Sequence, residues 1–267
     1  MSIITISRGS YSHGKEVAEK VAKKLEYKCV SREIILKASE HFNIPEIKLI
    51  HAIHDAPTIL DRFTYGKERY IAYFREALLH YFKMDNVVYH GLAGHFFVPG
   101  ITHALKIRII ADLEDRLEEE MRRTMSSIST EEARKILIKD DEERRRWSQY
   151  LYGIDTLDPS LYDMVIHIRT MTTDESVKII CESAKLPCFQ TTSESQKAID
   201  NLFLAAQVQA ALVEEIPSVT VKVEGEEIVV TCKGYWAEGK KMLAKVDQLI
   251  DTNKKEGVKI KVRMISS

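Results

Sequence analysis

Ile3-Ile4-Thr5-Ile6-Ser7-Arg8-Gly9-Ser10-Tyr11-Ser12-His13-Gly14-Lys15-Glu16-Val17 runs from a β-branched stretch, through a glycine-containing loop, into a helical pattern. Ile3, Ile4 and Ile6 read as a short buried strand, and Val17, Val21, Ala22 and Leu25 recur at helical spacing. The segment between them fits G-x-x-x-x-G-K, with Glu16 where Ser or Thr normally follows. A loop from a strand into a helix N-terminus turns backbone N–H groups toward an anion. Lys15 adds a point charge with the reach of a nucleotide's β- and γ-phosphates. Arg8, Gly9, Ser10, Ser12, His13, Gly14, Lys15 and Glu16 are therefore the expected phosphate-binding set. The absent hydroxyl at position 16 removes the usual Mg²⁺ ligand, and a carboxylate there repels phosphate. Glu16 is expected to face outward along the helix, leaving the metal to other carboxylates and water.

Outward from this loop, three further apolar runs follow: Asn86–Tyr89, Leu105–Ala111 and Met164–Ile168. Helical patterning separates them, which predicts an α/β fold: a parallel sheet with helices on both faces. The later runs read as central strands, buried on both sides. Glu114–Tyr150 differs, with Arg116, Arg122, Arg123, Arg134, Lys139, Arg144, Arg145 and Arg146 set among acidic residues. It reads as two helices joined at Ser126-Ser127-Ile128-Ser129, the second opened by a Ser129/Glu132 capping box. Alone, such a segment fits a solvated hairpin laced with i,i+4 ion pairs. Beside a phosphate loop it fits a mobile basic lid over about residues 118–150.

Past Pro187 the organisation changes. Ser193–Glu215 reads as one long helix, capped by Ser193 and Gln196, with Ile199, Leu202, Phe203, Ala206, Ala210 and Val213 on one face. Val219, Val221 and Val223, then a Glu224-Gly225-Glu226 turn, then Ile228, Val230 and Cys232 predict a hairpin. Helical periodicity over Trp236–Asp251 and alternation from Val258 to Met264 complete a small ββαβ module. The boundary falls near Pro217 or just before the long helix. We divide the chain into residues 1–192 and 193–267.

Composition bounds the function classes. Of 267 residues, 45% are hydrophobic and 30% charged, enough to bury a sizeable core. Lys plus Arg total 39 against 40 Asp plus Glu, which argues against a chain-wide basic surface for nucleic acid. Cys29, Cys181, Cys188 and Cys232 form no C-x-x-C pair, as expected of reduced thiols rather than a disulfide scaffold. No stretch approaches the ~20 apolar residues that span a bilayer, and no secretory leader is evident at Met1-Ser2-Ile3. A cytoplasmic protein is expected. His51-x-x-His54 lacks a third ligand at zinc-like spacing, so no transition-metal site is expected.

Taken together, these segments resemble the cytidylate kinase-like family. Ile6-Ser7-Arg8 with Ser12 and Gly14-Lys15-Glu16-Val17-Ala18 is similar to the family's opening, and Ser31-Arg32-Glu33-Ile34-Ile35 to its "D-R-E-I-I". Ala111, Glu114 and Arg116 resemble "A-x-x-E-x-R", Asp141 and Arg144 the D-x-x-R of the lid, and Tyr162-Asp163-Met164-Val165-Ile166 the "Y-D-L-V-I" that follows. The resemblance covers residues 1 to about 185. It implies a P-loop nucleoside monophosphate kinase using ATP and Mg²⁺. Lys15 and the loop would hold donor phosphates, and Arg144, oriented by an acid such as Asp141, would bridge donor and acceptor. Arg122, Arg123, Lys139 and Arg145 would complete the lid, Arg32, Glu33, His90 and Gly91 would line the acceptor pocket, and Asp112 and Glu33 would hold Mg²⁺ through water. CMP or dCMP is the expected acceptor.

Departures from the pattern qualify this. Tyr11 and His13 occupy loop positions that are glycine in the family, Leu92 stands where an arginine usually follows Gly91, and Leu137 where the lid has its first arginine. The alternative expectation is a nucleotide-binding sensor or scaffold, weak in catalysis, controlling the C-terminal module. That module resembles a BON-type domain in element order, and Lys240, Lys241, Lys245, Lys254, Lys255, Lys259, Lys261 and Arg263 make it locally basic. An anionic lipid or a protein partner is its expected ligand, or these lysines are simply solvated. Trp147, Tyr150 and Tyr152 fit either helix packing or stacking on a base.

Overall fold

The computed structural model describes residues 2–10, 12–31, 33, 65–92, 94–123, 128–233, 244 and 259–265. Strands β1 (Ile3–Arg8), β2 (Lys28–Ser31), β3 (Val87–His90), β4 (Ala104–Ala111) and β5 (Met164–Ile168) form one parallel sheet in the order β2-β3-β1-β4-β5. The opening strand thus sits in the middle, and the loop after it leaves from the centre of the carboxyl edge. That edge is where open α/β sheets place their ligands.

Alternation divides β1 between two cores. Ile4 and Ile6, with Val88, Leu105, Ile107 and Ile109, meet Val17, Val21, Ile180 and Cys181 from helices α1 (Gly14–Leu25) and α5 (Thr173–Ala184). Ile3, Val87, Tyr89 and Ala104 face the other way, toward Tyr70, Phe74, Leu78 and Phe82 of α2 (Gly66–Lys83). Each isoleucine so buried is worth about 1.5–3 kcal/mol relative to exposure. The expectation of central strands needs correction at β5. It is an edge strand with Val165 and His167 exposed, so only Ile166 and Ile168 are buried in that run.

The charged segment forms α3 (Leu113–Arg123) and α4 (Thr130–Tyr152), and the Ser129/Glu132 capping box is present. Leu117, Ala133 and Leu137 close the small core between them. The aromatic end of α4 packs inward: Trp147 is 1% exposed against Tyr70, and Tyr152 meets Phe96 and Phe97. Packing, not base stacking, accounts for these rings.

Helix α6 (Ser193–Leu212) begins one residue earlier in its cap than expected. Thr192 and Ser195, not Ser193 and Gln196, make the reciprocal bonds. A single apolar face also proves too narrow a description. Ile199, Phe203 and Ala206 join the core under α2, while Leu204, Ala205, Val208 and Leu212 join a second core with Val219, Val221, Ile228 and Val230. Strands β6 (Thr220–Glu224) and β7 (Glu227–Lys233) are antiparallel as the hairpin pattern predicts, and β8 (Lys259–Ile265) pairs parallel to β7. A parallel partner cannot be joined by a tight turn. The predicted helix over 236–251 lies outside the described residues except Ala244, which is helical, and His51 and His54 also lie outside them. Among the described residues, no helix is long and apolar enough to cross a membrane.

Candidate active site

The loop is built by three local devices. His13 sits in the left-handed region at φ 60°, ψ 3° and leads directly into α1. That conformation costs an L-residue about 1–2 kcal/mol, which explains why the resembling pattern carries glycine there. Gly14 is required by proximity, because a Cβ would stand 2.6 Å from Arg8 Cδ and 2.7 Å from its Cβ. Ser12 Oγ lies 3.0 Å from the Gly9 carbonyl and 3.3 Å from that of Ile109, tying the loop to itself and to β4.

Across this loop lies a carboxylate from α4. The Ser10 backbone N–H donates to Asp141 Oδ1 at 3.0 Å, and Arg116 Nη2 donates to Asp141 Oδ2 at 2.7 Å. Arg116 Nε completes the bracket by donating to the Ser10 carbonyl at 2.7 Å. One Asp141 oxygen is thus engaged by the loop and the other by Arg116. The neighbouring Asp140 carboxyl is pushed up by burial and drawn down by the charge of Arg144. The loop N–H thus holds a carboxylate oxygen.

Lys15 is exposed at the start of α1, 3.9 Å from Glu19. Glu16 faces outward, paired with Lys20 at 2.8 Å and near Thr173 Oγ1 at 3.4 Å. The Lys20 hydrogen bond holds its carboxyl below the usual range, against the opposing effect of burial.

Between loop and lid opens a cavity of about 400 Å³. Arg8, Gly9 and Ser12 line it from the loop side, Arg108, Ile110 and Arg116 from β4 and α3, and Asp141, Glu142, Arg144 and Arg145 from the lid. Five guanidinium groups share this opening with the Asp141 and Glu142 carboxylates, a local concentration of charge that the balanced chain total conceals. Arg145 is paired with Asp155 at 2.6 Å, Lys139 with Glu143 at 3.7 Å, and Arg122 with Glu119; the Arg123 side chain lies outside the described residues. Lys139 and Arg122 are not among the residues lining the cavity.

His90 ends β3 and is buried, and the Gly91 N–H donates to the Ile6 carbonyl at 3.3 Å. Burial, aided by the Arg8 guanidinium, pushes His90 down to about 4, so it carries no charge at neutral pH. Glu33 is exposed and helical, while Arg32 and Tyr11 lie outside the described residues. Asp112 is held by His167 at 2.9 Å and Arg169 at 3.1 Å. Among the described residues, no three His, Cys, Asp or Glu side chains cluster as a metal cage.

Two site residues escaped the sequence reading. In the sequence Arg116 reads as one charge of the helical hairpin and as part of an "A-x-x-E-x-R" pattern, and the structure makes it the clamp on the loop. Arg108 went unnoticed inside Leu105–Ile110, although a charge in a buried apolar run is itself an anomaly. Its Nη1 lies 3.4 Å from the Tyr162 hydroxyl, which in turn donates to the Thr156 carbonyl at 3.0 Å.

Residues 3–170 match the model of the Cytidylate kinase-like family. A cytidylate kinase of Methanosarcina acetivorans is 39% identical over 82 residues, 31% of this chain and 44% of that protein. One of Methanosarcina mazei is 34% identical over 93 residues, 34% of this chain and 49% of that protein. The chain thus spans about half the length of the curated relatives it matches. Among solved structures, an uncharacterized protein from Eubacterium ventriosum aligns at 18% identity and TM-score 0.48, covering 69% of this chain and 98% of that one. Shikimate kinase from Bacteroides thetaiotaomicron aligns at 12% identity and TM-score 0.41, covering 69% and 99%.

Proposed function

The chain belongs to the cytidylate kinase-like family, and on that premise we propose that it transfers the γ-phosphoryl group of ATP to a nucleoside monophosphate, CMP or dCMP first. The observation that carries this reading is the Ser10 N–H bound to an anionic oxygen at the mouth of an arginine-lined cavity. Phosphoryl transfer asks little covalent chemistry of a protein. It asks for positioned cations, two phosphates held in line and exclusion of water.

In this reading the donor's phosphates displace Asp141 from the loop, and the freed Arg116 follows the new negative charge. Lys15 moves from its loose contact with Glu19 onto the β- and γ-phosphates. Arg144, already lining the cavity, neutralises charge on the transferring group. An oxygen of the acceptor's phosphate attacks the γ-phosphorus, the bond to the β-γ bridging oxygen breaks, and ADP leaves with that oxygen. Bound Mg²⁺ would supply charge neutralisation on the donor's phosphates. Asp112 and Glu33 would hold such a metal through water, with the donor's own phosphate oxygens as its direct ligands.

A second reading has its own support. Leu137, in the place of the lid's first arginine, is 0% exposed in the α3–α4 core, and α6 belongs both to the core under α2 and to the C-terminal one. A nucleotide sensor that signals through α6 to the C-terminal sheet uses the same loop without turnover. ADP release measured across a panel of monophosphates, against a Lys15→Ala control, separates the two readings. Turnover above the control supports the kinase, and ATP binding without turnover supports the sensor.

A further inference from the structure

Arg108 is 9% exposed, yet no carboxylate lies within ion-pair distance of it among the described residues. Buried arginines are normally paired, because an uncompensated charge in a low dielectric is costly. Its one hydrogen-bond partner there is the Tyr162 hydroxyl, at 3.4 Å. The oxygens of nearby Asp155 are already taken by Arg145 and by the Leu157 N–H. Tyr162 is itself fixed, 3.3 Å from Ser7 Oγ and bonded to the Thr156 carbonyl. The guanidinium is thus anchored through one nitrogen by a neutral group, leaving further donors along a cavity wall.

Alternation along β4 decides which side of the loop this charge serves. Ile107 and Ile109 belong to the core with α1, so Arg108 and its register partner Ser7 lie on the opposite face of the sheet. The loop's N–H groups and the α1 N-terminus hold the donor. A cation on the opposite face, sharing the cavity with Gly9 and Arg144, is placed for the second phosphate that an in-line transfer requires. Leu92, whose side chain carries no charge, lines the same cavity.

We propose that Arg108 receives the phosphate group of the acceptor nucleotide, as a binding residue reaching up from strand β4. This rests on the kinase reading and names its acceptor-phosphate site. Two or more guanidinium donors to a phosphate form charge-assisted hydrogen bonds of the stronger kind.

The test is equilibrium binding of nucleoside 5′-monophosphates, of the matching nucleoside and of ATP to the full chain, for the native protein, Arg108→Gln and Arg108→Lys. Gln retains a donor for Tyr162 and lacks the charge, and Lys retains the charge and lacks the fork. The expected result is that Arg108→Gln weakens the best monophosphate between about tenfold and a hundredfold. Nucleoside and ATP affinities and the melting temperature should hold, and Arg108→Lys should recover part of the loss. Equal weakening of nucleoside and monophosphate, or no weakening of either, overturns the proposal while leaving the kinase reading intact. Failure of every monophosphate to bind the native chain overturns both.

Discussion

With Asp141 Oδ1 on the Ser10 N–H and Oδ2 on Arg116, the loop after β1 holds a carboxylate where the proposed function places a phosphate oxygen. A hydrogen bond to a charged group is worth about 1.5–3 kcal/mol, so ATP competes against a contact of that order. Asp141→Asn removes the charge while keeping the shape, and calorimetric titration should show ATP binding tightened by about tenfold; unchanged or weaker binding contradicts the competition. Gly14 carries the opposite expectation. Gly14→Ala drives a Cβ into the Arg8 stem and should cost about 1–3 kcal/mol by overpacking, seen as a lower melting temperature together with weaker ATP binding. At this scale the sequence was legible wherever a residue type has one common use: Gly14 and Lys15 announced a loop, and Glu16 was placed outward on charge alone. It was opaque at Arg116 and Arg108, because an arginine's partner depends on strands and helices far apart in the chain. No local spacing links residue 10 to residue 141.

Among the elements, α3 and α4 carry the charge of the proposed lid over a small apolar base of Leu117, Ala133 and Leu137. Restoring the family's arginine by Leu137→Arg should therefore not restore a phosphate contact. It places a guanidinium in a fully buried position, and loss of several kcal/mol of stability is the expected outcome, read by thermal unfolding. A stable, more active variant contradicts this account of the lid. The helical pair and its Ser129 cap were readable from periodicity and the S-x-x-E spacing. The cap of α6 was misplaced by one residue because Thr192, Ser193 and Ser195 are all competent caps, and only backbone conformation chooses between them. Edge strand β5 was misread for a related reason. An apolar run records that a segment pairs, not whether a neighbour covers it on each side.

In the whole molecule, α6 is shared between the core under α2 and the core on β6 and β7. The division at residues 192 and 193 is accordingly a proposal about organisation, and Phe203 tests it. Phe203→Ala should cost about 3–5 kcal/mol, and calorimetry should show both regions shifting in one transition; two separate transitions, only one moved, contradict the sharing. Acid sensitivity follows from two buried histidines. His90 is pushed down to about 4 and His95 to about 3, burial being the main cause and a neighbouring arginine the second. Above about pH 6.5 both are neutral folded or unfolded, so the stability they allow is fully present. As pH falls toward the folded values the unfolded chain takes up protons that the folded chain refuses, and by pH 5 each should have cost about 2 kcal/mol. Chemical denaturation at pH 7 and pH 5 measures this, and a His95→Gln variant should flatten the slope; an unchanged slope contradicts the assignment.

Phosphoryl transfer at the loop that follows Arg8 is measured as ADP release in the presence of ATP, Mg²⁺ and CMP or dCMP. Acceptor-dependent ADP release, abolished by Lys15→Ala, is the predicted result. Release no greater than that of the Lys15→Ala control with every monophosphate, in a protein that still binds ATP, contradicts it.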